Sequence, residues 1–154
     1  MQVGDAVGGY QESKFFEPGD QPVVAKTPFG NIGMMVCYDL RFPELALTLR
    51  AQGARILTAP AAFTYTTGQM HWQLLLQARA MDTQCDVLGA AQQGWHGEKR
   101  QTWGHTGATN SRGQLLQMIQ DEGAGLITIE FNAKEQDQIR ASMPLMQHRR
   151  LISF

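Results

Sequence analysis

Cys37 stands at the end of an apolar run, Ile32-Gly33-Met34-Met35-Val36, and directly before a polar turn, Tyr38-Asp39-Leu40-Arg41, with Pro43 placed to open a helix. A thiol in that setting can act as a nucleophile. A rigid strand aims the sulfur, and the backbone amides that follow it face the group under attack. A lone cysteine after an apolar strand is usually a small buried hydrophobe. Two features set Cys37 apart: turn chemistry follows it at once, and a second apolar run, ending Ala59-Pro60-Ala61-Ala62-Phe63, would finish beside it at the same sheet edge. In open α/β sheets ligands collect beyond the carboxyl ends of strands. Phe63 and Ala62 are therefore expected to contact substrate, Phe63 as pocket wall. Cys85 follows a helical stretch and is expected to be structural.

Three charged residues, Asp39, Arg41 and Glu44, crowd the turn. Arg41 could raise the local potential and lower the thiol pKa. The preferred reading is an ion-pair cluster that fixes the turn. His71-Trp72 is expected to be a packing and hydrogen-bonding anchor, and Lys14 and Lys26 are expected to be solvated. His96 and His105 lack zinc-type spacing and cysteine partners, so no metal is implied. Phosphate-binding glycine loops are absent, and no cofactor is implied. A Cys-His hydrolase ranks last among the chemistries. Such elbows flank the nucleophile with small residues, whereas Val36 and Tyr38 stand here, and none of the four histidines has a recognisable partner context.

The elements that must hold these residues follow from periodicity. Residues 1–20 read as loop. A strand over 23–28, a turn at Phe29-Gly30-Asn31 and a strand over 32–36 form a hairpin that delivers Cys37. Helical spacing of Leu45, Ala46 and Leu49 predicts a helix over 43–52, stopped by Gly53. A buried strand over 55–60 follows, then a helix over 68–83 with Met70, Leu74, Ala78 and Met81 on one face, then a buried strand over 86–91. Residues 94–105, GWHGEKRQTWGH, read as polar loop. Short strands are expected over 106–110, 114–119 and 126–131, and Asn132 is a candidate N-cap for a helix ending near Met143-Pro144. The tail Gln147-His148-Arg149-Arg150 is basic and expected to be exposed. The β-α-β-α-β order predicts an α/β fold with helices on at least one face of a sheet.

Bulk properties set the outer limits. A chain of 154 residues suits one core, and a single domain over 1–154 is expected. Hydrophobic content of 43% and charged content of 18% argue against disorder. Net charge is −1, from 13 basic and 14 acidic residues, and neither sign forms a block. No nucleic-acid or membrane partner is implied. No apolar run approaches the roughly 20 residues needed to span a bilayer. The N-terminal stretch lacks a basic segment followed by an apolar one, so no signal peptide is expected. Two cysteines are too few for a disulfide framework, which points to the reducing cytoplasm.

Five segments, in order, resemble the nitrilase (carbon–nitrogen hydrolase) superfamily in its Nit-type amidase branch, of ω-amidase or deaminated-glutathione-amidase type. They are GNIGMMVCYDLRFPEL, GARILTAPAAF, TGQMHWQLLLQARAMDTQC, GAAQQGWH and the HRR near the end. The resemblance implies a nitrilase-type α-β-β-α sandwich, present as an N-terminally incomplete domain. It implies Cys37 as the thiolate, the Tyr38 N–H as an oxyanion donor, and Glu12 as a second glutamate that orients the reacting groups. The family's general-base glutamate and its lysine, in a Lys-x-His-Leu-type segment, are not matched by this sequence.

The implied function is hydrolysis of a small ω-amide to carboxylate and ammonia through a cysteine thioester, with little activity expected from this chain alone. The alternative is a non-catalytic fragment that serves as an interaction module or is completed by a partner chain. A small-molecule amide is the expected substrate, and a homo-oligomer the expected assembly.

Overall fold

The computed structural model describes residues 2–5, 8–120 and 123–150, with side chains from Ser13 onward. Strands β1 (Gln2–Asp5) and β2 (Gly8–Gln11) pair as an antiparallel hairpin, and a 3-10 turn spans Glu12–Lys14. This corrects the loop reading of the first 20 residues. Glycine-rich strands carry no alternating apolar pattern, so nothing in the sequence marks them.

The central sheet has six strands: β3 (Val23–Ala25), β4 (Ile32–Met34), β5 (Ile56–Thr58), β6 (Asp86–Gly89), β9 (Gly107–Thr109) and β10 (Leu115–Met118). A further hairpin, β7 (Gln93–His96) with β8 (Arg100–Trp103), lies outside it. Across the sheet the order is β10-β9-β6-β5-β4-β3. The inner three strands, β4, β5 and β6, run parallel, and the outer ones are antiparallel. Helices α1 (Pro43–Ala51) and α2 (Tyr65–Thr83) are the two crossovers between the parallel strands.

Both helices cover one face. The register aligns Val24, Gly33, Leu57, Val87 and Thr109 on that face. Leu57 and Val87 are fully buried there. Glycine is needed where the layers come closest. A Cβ at Gly33 would lie 2.7 Å from Leu57 and 3.0 Å from Leu49 of α1, and one at Gly89 would lie 2.6 Å from the Trp72 ring of α2. The opposite row holds Val23, Met34, Thr58, Leu88, Ala108 and Gln117. At its β3–β4 end it is open: Val23 is 52% and Met34 51% exposed.

Two sequence expectations for α2 shift. The helix begins at Tyr65 rather than Gly68, and its buried face is Gly68, Trp72, Leu76, Arg79, Ala80 and Thr83. Met70, Leu74 and Met81 face outward, each more than half exposed. Both stripes have helical spacing, so periodicity cannot choose between them. Contact with the sheet chooses, because Gly89 leaves the gap that Trp72 fills.

The polar stretch 94–105 is also ordered differently from its loop reading. Hairpin β7–β8 is fastened from outside, by the Trp103 N–H to the Phe63 carbonyl at 3.0 Å and by a bridge from Thr64 to Thr102. Residues 126–131 form no strand, and Leu126 is 90% exposed. An apolar run becomes a strand only when a neighbouring edge takes up its hydrogen bonds.

Helix α3 (Ala133–Ser142) follows the expected cap, with the Asn132 side chain accepting the Glu135 N–H at 3.1 Å, and a short α4 (Leu145–His148) ends the described chain. Arg140 of α3 donates to the Gln84 and Ala54 carbonyls, and Gln136 donates to the Arg55 carbonyl, tying α3 to the amino ends of β5 and β6.

At that same edge Asp86 is buried, accepts the Ser111 N–H at 2.9 Å, and has its carboxyl pushed above the usual range, chiefly by burial. The folded chain therefore holds the Asp86 proton more tightly than the unfolded chain. Stability from this group is present below the ordinary carboxylate value and is lost as pH rises through the raised one. Asp86→Asn keeps an oxygen to accept the Ser111 N–H and removes the charge. Thermal melts should show the variant more stable than the parent at about pH 7, with the gap closing by about pH 3. An unchanged gap would contradict this account.

Candidate functional site

Past their regular ends β4 and β5 continue side by side. The Met35 N–H donates to the Thr58 carbonyl at 2.9 Å, and the Cys37 N–H to the Pro60 carbonyl at 2.8 Å. One strand further, the Ala61 N–H donates to the Ala90 carbonyl at 2.8 Å. The turn that carries Cys37 thus sits at the carboxyl edge of the parallel strands, with residues 60–63 directly beside it.

At Cys37 the chain turns sharply, with φ +48°, and enters a 3-10 helix, Cys37–Arg41. A non-glycine residue in the left-handed region costs about 1–2 kcal/mol. Two contacts hold it. One is the bond to Pro60. The other is Asp39, whose carboxylate accepts the Val36 N–H at 2.9 Å while its own N–H donates to the Val36 carbonyl at 3.0 Å. The Tyr38 N–H lies in the first turn of this short helix, where no earlier helical carbonyl can take it.

The expected ion-pair cluster does not form. Asp39 is engaged in closing its own turn. Arg41 sits between two aromatic faces, its guanidinium carbon 5.3 Å from the Tyr38 ring centre and 5.3 Å from that of Phe63. Both of its terminal nitrogens approach His71 Nδ1, at 3.3 and 3.4 Å. Among the described residues the carboxylate ion pairs belong to Arg55, Arg79 and Arg112. Glu44, in the first turn of α1, is exposed and makes no ion pair with Arg41 among the described residues.

Phe63 is 7% exposed, edge-on to Trp72 at 5.2 Å, with its face under Arg41. Ala62 is half-buried, and its carbonyl accepts Arg100 Nη2 from hairpin β7–β8 at 3.1 Å. Trp72 is buried, and its indole N–H donates to the His105 carbonyl at 2.7 Å, the anchoring role expected of it. Lys14 and Lys26 are exposed. Glu12 begins the 3-10 turn Glu12–Lys14, and its side chain lies outside the described residues. A cavity of about 430 Å³ opens at the carboxyl end of β6, lined by Ala91, Gln92, Gln93, His96 and Thr106 among others. Ala91 bridges to Ala61, so this space adjoins the strand edge at which the Cys37 turn sits. No metal-binding group of His, Cys, Asp and Glu occurs among the described residues.

Sequence reasoning missed the pairing of Arg41 with His71, thirty positions apart, and the docking of the hairpin on Ala62. Local spacing carries no signal for either. The Asp39 cap was legible in principle, since an aspartate that closes on the N–H three residues before it is a common turn signal.

The two cysteines are in contrasting settings. Neither is in a disulfide; Cys37 is partly accessible and Cys85 fully buried. Burial pushes the Cys85 thiol above its ordinary pKa, and its Sγ lies 3.3 Å from the Ala54 carbonyl. The thiolate is the reactive form. Iodoacetamide on the native chain, followed by peptide mass mapping, should therefore modify Cys37 and leave Cys85 untouched until denaturant is added. Early labelling of Cys85 would contradict this.

The profile of the carbon–nitrogen hydrolase family matches residues 5–141. The chain is 46% identical over 153 residues to a deaminated glutathione amidase of Yersinia enterocolitica, covering 99% of this chain and 53% of that protein. It superposes on the crystal structure of the Caenorhabditis elegans NitFhit protein with a TM-score of 0.86 at 35% identity, over 97% of this chain and 37% of that one. It is also similar to an amidase of Nesterenkonia in which the acetamide moiety of fluoroacetamide is covalently added at the active-site cysteine. That likeness has a TM-score of 0.64 and 29% identity, over 73% of this chain and 43% of that one. The chain spans about half the length of the curated amidases it matches, 53% of one and 52% of another. No helix among the described residues is long and apolar enough to cross a membrane.

Proposed function

Because this chain belongs to the carbon–nitrogen hydrolase family, we propose that Cys37 is its nucleophile, in a single hydrolase domain over 1–154 that cleaves the C–N bond of a small ω-amide. The observation that supports this most is the left-handed Cys37 backbone, pinned by its N–H to Pro60 at the carboxyl edge of two parallel strands. That arrangement places a thiol and, one residue on, a backbone N–H at the same strand edge.

In this reading the Cys37 thiolate adds to the amide carbon, and the carbonyl oxygen becomes an oxyanion that accepts the Tyr38 N–H. The tetrahedral adduct collapses, the C–N bond breaks, and nitrogen leaves as ammonia after taking up a proton. Water then attacks the thioester, releasing the carboxylate and restoring the thiol. Glu12 is the proposed orienting carboxylate, and Phe63 and Ala62 shape the binding space. The family's base glutamate and lysine would have to come from outside the segments matched here.

Arg41 gives the site a sign. A guanidinium four residues from the nucleophile, held on aromatic faces and in no ion pair with a described carboxylate, favours an anionic substrate. The proposed substrate is an ω-amide that also bears a carboxylate, the type that the relatives named deaminated glutathione amidases suggest. We place the protein in the cytoplasm, because two cysteines are too few for the disulfide framework of an oxidising compartment.

Ammonia release from an α-keto-ω-amide tests the assignment. This chain alone should release little. Whatever it releases should vanish in Cys37→Ala and persist in Cys85→Ala. Release that survives Cys37→Ala would overturn the assignment.

Assembly belongs to the same proposal. The open row with Val23 and Met34, and the outward stripe Met70, Leu74 and Met81 on α2, leave apolar surface exposed. Surface of this kind favours self-association. It also supports the alternative reading, an interaction module. Light scattering should show a mass above that of a monomer, and a clean monomer at working concentrations would count against both.

A further inference from the structure

We propose that His71 is a positioning residue for this site: its neutral imidazole fixes the direction of the Arg41 guanidinium and so sets the charge preference of Cys37. The inference rests on the reading of Arg41 given above.

A guanidinium has five N–H donors and no acceptor. His71 Nδ1, which faces both terminal nitrogens of Arg41 at 3.3 and 3.4 Å, can therefore only accept. The imidazole proton must lie on Nε2, and the ring must be neutral for the contact to exist. The Tyr38 and Phe63 faces, each 5.3 Å from the guanidinium carbon, hold Arg41 in place but leave it free to turn in its own plane. A ring face attracts the charge without selecting any one N–H. His71 supplies the missing in-plane restraint, and with it the direction of the N–H groups that remain for a ligand.

His71 is itself well held. It lies in the second turn of α2, and its neighbour Trp72 is buried and bonded through its indole N–H to the His105 carbonyl at 2.7 Å. Trp72 also packs edge-on against Phe63, so the helix turn that carries His71 is locked to the ring beneath Arg41. Nucleophile turn, pocket segment and α2 thus meet at one guanidinium, and His71 is the α2 member that touches it.

The test uses this chain and two alkylating reagents of similar size and opposite character. Iodoacetate and iodoacetamide each form an S–C bond at Cys37 with loss of iodide, and only the first is an anion. The ratio of their rates cancels thiol acidity and exposure and reports the local field. His71→Leu removes the acceptor at similar volume, and His71→Asn keeps an acceptor near the Nδ1 position.

The expected result is a several-fold fall in the iodoacetate-to-iodoacetamide ratio for His71→Leu, a ratio close to the parent's for His71→Asn, and no further fall when His71→Leu is added to Arg41→Gln. Silent Cys85 in the same digests reports an intact fold, and His71→Ala replaces the leucine variant should that control fail. A ratio unchanged in the apolar variant but lowered by Arg41→Gln would overturn the role of His71 alone. A ratio unchanged by Arg41→Gln would overturn the reading of Arg41 beneath it.

Discussion

The hydrogen bond from the Cys37 N–H to the Pro60 carbonyl, at 2.8 Å, is the constraint on which the rest of the site depends. It extends the parallel pairing of β4 and β5 past the point where both strands lose their regular form. Pro60 has no N–H to offer, so its segment accepts from Cys37 and then, through the Ala61 N–H, donates onward to Ala90. Three chain segments are stitched together at one edge by backbone bonds, the Gln92 N–H returning to the Ala61 carbonyl at 2.9 Å. The φ of +48° at Cys37 follows, because the chain must leave that ladder at once to begin the short helix. A bond of this type is worth about 1 kcal/mol net, comparable with the strain it holds. Asp39 supplies a second bond to make the turn secure.

Everything else brings groups to that edge. The glycines at 33 and 89 let α1 and α2 approach the sheet closely, which puts Leu49 and Trp72 in fixed places. Trp72 in turn holds Phe63, and Phe63 holds Arg41 from below while Tyr38 holds it from above. Hairpin β7–β8 closes the outer side by bonding to Phe63 and Ala62. The result is a guanidinium held on two ring faces near the turn that carries Cys37, by residues that span positions 38 to 105. At the opposite edge of the sheet, Asp86 and Arg140 form a separate polar layer that ties α3 to the strand starts and takes no part in this arrangement.

The chain has the fold of the carbon–nitrogen hydrolases, and it presents one helical layer and one sheet layer of their four-layer sandwich. The sheet face away from α1 and α2 has an open, apolar end at Val23 and Met34. The contrast between the two cysteines fits the same division of labour. One thiol is held in a strained, partly accessible turn, and the other is sealed in the core where burial disfavours its reactive form.

By itself the sequence determined the elements with strong local signals and the identity of the thiol at their junction. Periodicity marked α1, most of α2 and the buried strands; Gly30 and Gly53 marked turns at positive φ; Asn132 marked a cap. These signals are legible because each arises from a residue's own backbone preference or from burial of one face. What only the tertiary structure decided depends on neighbours distant in sequence. Which of two equally spaced stripes on α2 turns inward was settled by the gap at Gly89. Whether residues 94–105 form a hairpin was settled by the Phe63 carbonyl that bonds Trp103. The partner of Arg41 was settled by packing that set His71 thirty positions away against it, in place of the acidic residues next to it in sequence. Hydrogen bonds and ring contacts need proximity in space, and a linear pattern records proximity only within a few residues.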